Sequence, residues 1–159
     1  MDYSIDQVDP SEFPLLVEVW EASVRATHDF LQAGDIEYFK PLILNQYLGL
    51  VNLACVRDEN GIPLGFIGVA DNKVEMLFVH PNAMGNGIGK QLMHHAIKEL
   101  QSYKVDVNED NGPAVGFYLH LGFEVVSRSE FDPMGKPYPI LHMELKDEID
   151  PNGFAPKQA

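Results

Sequence analysis

Cysteine occurs once in this 159-residue chain, at Cys55 within "NLACV". A single thiol closes no intramolecular disulfide and builds no cysteine cluster for a metal. The expectation is a buried structural thiol. Basic residues are scarce. Eleven lysines and arginines stand against 24 aspartates and glutamates, for a formal net charge of −13. That balance argues against a nucleic-acid partner, because phosphate backbones demand positive surface. It tilts mildly toward a cationic small molecule or a basic peptide, although acidity alone also serves solubility. Long apolar runs are lacking too. "FIGVA" at 66–70 is too short to cross a bilayer, and the acidic "MDYSIDQVDP" has no apolar core of a secretory leader. With the lone cysteine, these absences set the expectation of a reducing, cytoplasmic setting and no membrane partner.

What is present is an ordinary globular composition, 45% hydrophobic, at about one domain's length. "DPSEFPLLVEVWEASVRATHDFL" opens with Asp9 as a cap, Pro10 in the first turn and Glu12 three residues on. Leu15, Leu16, Val19, Trp20 and Val24 then follow helical spacing. A second helix or broken helix is expected over 36–48, with Pro41 near its start. Short apolar runs separated by "DENG" and "ADN" predict an antiparallel meander of strands near 51–57, 63–70 and 73–79. A helix over about 87–101, a strand over 104–108, a helix over 111–123 and two final strands joined by "DPMGKP" complete the pattern. Helices, a meander, then strand–helix–strand–helix–strands describe a single α+β domain. It is expected over 1–146, with 147–159 as a flexible tail. The final strands also offer an edge for a homodimer, with a monomer the alternative.

The stretch "HPNAMGNGIGKQLM" places glycines at 85, 87 and 89 between a strand and a helix. Such a loop lets backbone N–H groups approach an anion, and the helix N-terminus adds partial positive charge. A phosphate or pyrophosphate fits best. The loop is not a P-loop, because Gln91 follows Gly89-Lys90 where a serine or threonine would bind magnesium. Nor is it a dinucleotide fingerprint, because the spacing is G-x-G-x-G.

A second stretch sharpens the reading. "NGPAVGFYLHLGF" at 111–123 matches N-x-x-A-x-x-F-Y-x-x-x-G-F at every fixed position. "MGNGIG" at 84–89 matches Q/R-x-x-G-x-G/A except at Met84. With both patterns in order, the chain resembles the GNAT superfamily of acetyl-CoA-dependent N-acetyltransferases. The element order agrees from residue 1 to about 145.

The resemblance implies a GNAT fold, a mixed and mostly antiparallel twisted sheet of about six to seven strands flanked by helices. It also implies direct acetyl transfer from acetyl-CoA to a primary amine of a small molecule or peptide, with no metal. Tyr118 is implied as the acid that protonates the departing thiolate, since a phenol with a reference pKa near 10 carries its proton at neutral pH. Glu75, in the otherwise apolar "KVEMLFV", is the implied base. Leu77, Phe78 and Val79 would hold the pantetheine arm, and a backbone N–H on their strand would polarise the thioester oxygen. Met84, Gly85, Asn86, Gly87, Ile88, Gly89 and Lys90 would cradle the pyrophosphate, with Lys90 offsetting the contact that Met84 does not make. Asn111, Ala114 and Phe117 would line the arm, whereas Asn108 reads as a strand end. His28 and Tyr138 are placed at the acceptor, each with a plain packing role as the alternative. His94, His95 and His120 suit solvated helix faces and build no metal site. Two rival functions remain, an acyl-CoA sensor without turnover and a nucleotide-phosphate enzyme using the same loop. The identity of the acceptor amine is not encoded in these patterns.

Overall fold

A computed structural model describes residues 3–27 and 32–146. A seven-stranded sheet of order β1-β2-β3-β4-β5-β7-β6 forms its centre. Its strands are β1 (Ile5–Gln7), β2 (Asn52–Arg57), β3 (Pro63–Ala70), β4 (Lys73–Val79), β5 (Lys104–Asn108), β6 (Phe123–Ser129) and β7 (Ile140–Leu145). Every neighbouring pair is antiparallel except β4 and β5. The helices are α1 (Phe13–Thr27), α2 (Ala33–Leu42), α3 (Ile88–Leu100) and α4 (Gly112–His120). The α+β class and the strand count therefore agree with the sequence reading. The proposed tail, 147–159, lies outside the described residues.

Each face of the sheet buries its own core. Leu16, Val17, Val19, Trp20 and Val24 bring α1 onto Cys55 and Phe66, joined by Ile36 of α2 and by Ile43 and Leu48 beyond it. These α1 positions repeat at helical spacing, so one apolar stripe meets one sheet face. Cys55 is fully buried, and burial pushes its thiol pKa up, as a structural role requires. On the opposite face Ile88, Leu92, Met93, Ala96 and Ile97 of α3 pack over Ile67, Val69, Val74 and Val105. Tyr118 and Leu121 join that core from α4 and the turn after it.

Local chemistry accounts for the departures from expectation. The Asp9 capping box forms, with Asp9 Oδ1 accepting the Ser11 N–H at 2.9 Å and Glu12 Oε1 accepting the Asp9 N–H at 3.0 Å. It opens a 3-10 turn, Pro10–Glu12, that leads into α1. The second helix begins at Ala33 rather than 36, and Pro41 falls in its last turn rather than near its start. Proline supplies no N–H to the ladder, and the chain widens into a π turn, Ile43–Tyr47, directly afterwards. β1 escaped the sequence reading because three residues are too few to show a period of two.

Arg57 on β2 ties this first segment down. It pairs with Glu12, one bond measuring 2.9 Å, pairs with Asp6 at 3.1 Å, and donates to the Gln7 carbonyl at 2.9 Å. The Arg57 guanidinium, with the Asp9 N–H second, holds the Glu12 carboxyl down at about 2. A carboxyl lowered on folding stabilises fully above its ordinary value of 4.5, and that contribution is lost as pH falls through about 2. Arg57→Met should therefore cost about 1–3 kcal/mol at neutral pH. The gap to the unsubstituted protein should narrow as pH falls from about 5 to 2. Urea denaturation at several pH values reads both; a gap independent of pH would show that the pair is not the source.

Candidate active site

β4 and β5 pair at only two positions, Lys73↔Lys104 and Val74↔Val105. Beyond Val74 they diverge. On its other side β4 stays paired with β3 through Val79, but the register shifts between Gly68 and Val69. Gly68 faces Met76 and Val69 faces Val74, which leaves Glu75 as the bulged residue. The bulge lies where the two strands part.

Three adjoining spaces, which share lining residues, surround this divergence. One, of about 440 Å³, is lined by Leu77, Phe78 and Val79 of β4, by Met84, Gly85, Gly87, Ile88, Gly89 and Lys90, and by Asn111, Pro113, Ala114, Phe117 and Tyr118. Ser23 and Thr27 of α1 close it. The second, of about 670 Å³, has walls of Trp20, Phe39, Ile43, Tyr47, Met76 and Phe78, with Asp132, Pro133 and Met134 opposite. A passage of about 120 Å³ between β4 and β5 is bordered by Glu75, Leu77, Asp106, Asn111 and Tyr118. Phe78 borders all three spaces, Glu75 the second and the passage, and Tyr118 the first and the passage.

The glycine loop owes its composition to backbone geometry. Gly85 has φ +84° and Gly87 φ +80°, a region that side chains disfavour, and beside each the space is open. Gly89 has no such constraint; a Cβ there would lie 3.5 Å from the Phe117 ring, an ordinary contact. Gly87 is the N-cap of α3, and its carbonyl accepts the first helical bond from the Gln91 N–H at 3.0 Å. The N–H groups of residues 88–90 precede that bond, so helix geometry gives them no carbonyl. They point toward the loop side, where Lys90 is the basic residue that lines the cavity. Met84 is 43% exposed at the rim.

Tyr118 is 8% exposed, its ring held edge-on by Phe117 at 5.3 Å and Phe123 at 5.8 Å. Burial pushes its phenol pKa up, so the proton stays on at neutral pH. Among the described residues no hydrogen bond engages its hydroxyl. Asn111 has a structural task that the sequence reading did not assign. Its Oδ1 caps α4 by accepting the Ala114 N–H at 3.2 Å. Asn108 ends β5, with its side chain accepting the Asp110 N–H at 2.9 Å.

Of the other expected site residues, Asn86 belongs to the loop without lining the cavity. Tyr138 is half-buried and lines none of the three spaces; the same hairpin contributes through Asp132, Pro133 and Met134 instead. His28 lies outside the described residues. Trp20, Phe39 and Tyr47, which shape the larger cavity, carried no motif; Trp20 read as helix stripe, and Phe39 and Tyr47 fell in the stretch read as a second or broken helix. A polar chain from Ser129 Oγ to His142 Nε2, 2.7 Å, and from His142 Nδ1 to Asp106 Oδ1, 2.7 Å, crosses β6, β7 and β5 and ends at the passage. Contacts between strands distant in sequence leave no local spacing to find. Among the described residues no cluster of His, Cys, Asp and Glu could hold a metal, and no helix is long and apolar enough to cross a membrane.

The family model described as an acetyltransferase (GNAT) domain matches residues 36–146. The chain belongs to the GNAT family of N-acetyltransferases, acyltransferases that move an acetyl group from acetyl-CoA to an amine. Among its relatives is the peptidyl-lysine N-acetyltransferase YjaB of Escherichia coli, 40% identical over 130 residues, 80% of this chain and 86% of that protein. The YjaB of Salmonella typhimurium is 38% identical over 128 residues, 80% of this chain and 88% of its own length. The solution structure of apo YjaB from E. coli superposes with a TM-score of 0.82 at 36% identity, covering 92% of this chain and 99% of that one. The PaiA N-acetyltransferase of Thermoplasma acidophilum, crystallised with coenzyme A, shares the fold with a TM-score of 0.65 at 21% identity, covering 91% of this chain and 99% of that one.

The open loop predicts a specific loss. Gly87→Glu adds a Cβ at positive φ and a negative charge beside the helix N-terminus. Acetyl-CoA affinity should fall at least about a hundredfold, while stability falls by only about 1–2 kcal/mol. Calorimetric titration and a thermal melt check both; unchanged affinity would remove this loop from cofactor binding.

Proposed function

We propose that the chain acetylates the ε-amine of lysine in a peptide or protein, with the glycine-loop cavity holding acetyl-CoA and the larger cavity holding the lysine side chain. The observation that carries this reading is the position of Glu75, on the strand bulge where the larger cavity meets the passage that leads to Tyr118. The larger cavity suits the acceptor in shape and charge. Its walls are mostly aromatic and aliphatic, fitting a four-carbon stem, and its carboxyl-bearing lining residues are Glu75 and Asp132, with no lysine or arginine beside them among the described residues. The names of the YjaB relatives support the same acceptor class.

The chain's groups fit the cofactor. Gly85 and Gly87 leave open space for a pyrophosphate against the first turn of α3, and the diverging side of β4 offers backbone groups to an amide-bearing arm. Asn111 and Phe117 border that arm's path from the other side. Bound there, acetyl-CoA supplies an acetyl group activated as a thioester.

Glu75 accepts the proton that the lysine ammonium must lose before its nitrogen attacks, directly or through a water. Tyr118, kept protonated by burial, donates to the sulfur as the thiolate leaves. The Ile88, Gly89 and Lys90 amides hold phosphate by backbone and dipole, so affinity does not require a cationic surface. One proton thus goes to Glu75 before attack; the nitrogen's second proton, lost as the C–S bond breaks, replaces through water the one that Tyr118 gives to the sulfur.

Thiol release from acetyl-CoA with a pool of lysine peptides tests the assignment. Tyr118→Phe and Glu75→Gln should each lower kcat by about a hundredfold to ten-thousandfold with little change in acetyl-CoA affinity. Release that survives both substitutions would overturn the roles. Binding of acetyl-CoA without release from any amine pool would favour the sensor reading.

A further inference from the structure

The two walls of the larger cavity belong to segments far apart in sequence, and among the described residues one ion pair spans them. Lys136 Nζ, on the loop between β6 and β7, lies 2.8 Å from Asp35 Oδ1 in the first turn of α2. The same ammonium sits over the Tyr38 ring, 5.9 Å from its centroid. We propose that the Asp35–Lys136 pair is a specificity-determining clasp, holding Pro133 and Met134 against Phe39 and Tyr47 so that the cavity admits a slender alkyl amine and rejects broader ones. This assignment rests on the acceptor reading of that cavity.

Both ends of the clasp are braced. Asp132 Oδ1 accepts the N–H groups of Met134 at 2.9 Å and Lys136 at 2.8 Å, and the Asp132 N–H bonds back to the Lys136 carbonyl at 3.0 Å. Gly135, at φ +79°, closes this turn. The Lys136 backbone is thus fixed whatever its side chain does. On the other wall Asp35 Oδ2 accepts the Gln32 N–H at 3.2 Å, so the carboxylate is oriented before it meets the lysine. Its side chain is 16% exposed, against 38% for Lys136. Partial shielding and fixed geometry favour a pair over two solvated charges. The pairing holds the Asp35 carboxyl below, and the Lys136 ammonium above, their ordinary ranges, so both stay charged across neutral pH.

Trp20 is the sole tryptophan of the chain and lines this cavity, so its fluorescence reports closure without any turnover. Asp35→Asn keeps an oxygen for the Gln32 N–H and removes the charge; Lys136→Met removes the ammonium; Lys136→Arg retains a cation. Acrylamide quenching of Trp20 should rise about twofold in the first two variants and stay near the unsubstituted value in Lys136→Arg. The ratio of kcat/KM for a lysine peptide over benzylamine should fall about fivefold to tenfold in the same two variants, through KM rather than kcat. Unchanged quenching in both charge-removing variants, or an unchanged ratio, would overturn the clasp. Quenching that responds while no variant, nor the unsubstituted protein, transfers acetyl to any amine would uphold the clasp as the cavity's closure and overturn the acceptor reading instead.

Discussion

Everything at this site depends on β4 and β5 staying together for two residue pairs and then parting. A parallel pair that continued would satisfy β4's backbone on that side and seal the sheet. Parting leaves a wedge with one strand's backbone groups on its edge, and the small space bordered by Glu75 and Tyr118 lies within it. The two cores lie on opposite faces, so each wall of the wedge is backed by packed side chains and does not collapse into the gap. The bulge at Glu75 belongs to the same device. An inserted residue twists β4 more strongly and shifts the alternation of its side chains, which helps β4 diverge and aims a carboxylate at the opening.

Burial supplies the contrast between the two candidate proton-transfer groups. Tyr118 lies against Phe117 and Phe123, within the core that α3 and α4 share. Charging it there costs desolvation, so it resists ionisation and is suited to donate. Glu75 is exposed on the bulge, in reach of water and of whatever occupies the larger cavity. One strand and one helix thus present an acid held neutral and a carboxylate in contact with solvent, facing the same passage.

The parts legible in sequence were those fixed by local chemistry. Helices α1 and α3 were visible because their apolar residues repeat at one period, and the meander because turn residues separate its strands. Gly85, Gly87 and Gly89 were visible because glycines between a strand and a helix let backbone N–H groups approach an anion, although only Gly85 and Gly87 take up positive φ. The phenylalanine–tyrosine pair at 117–118 was visible through the pattern around it. The missing parts depend on distance along the chain. No local rule joins Lys136 to Asp35, or Asp106 to His142. Trp20 was read as ordinary helix stripe because the same spacing serves a core and a cavity wall alike, while Phe39 and Tyr47 lay in a stretch whose proline blurred any single period. Asn111 was read as a ligand-facing residue, while its place directly before Gly-Pro also marks it as a helix cap, and the structure uses it so.

A chain with a net charge of −13 that takes a polyanionic cosubstrate faces a conflict, and on the proposed reading the fold resolves it by separating two kinds of charge. Surface side chains set the long-range field, which attracts ammonium groups and repels phosphates, but at physiological salt that field decays over about 8 Å. The glycine loop works inside that distance. Its positive character comes from backbone N–H groups at the start of α3, reinforced by one lysine, so it is unaffected by the count of acidic side chains elsewhere. Acceptor selection can then use the acidic surface freely. On that reading a basic peptide is drawn by the whole surface, while the cofactor is held locally by backbone N–H groups and Lys90. The same division explains why glycine, rather than arginine, fills the loop: side chains there would add charge but would occupy the space through which the amides reach the anion.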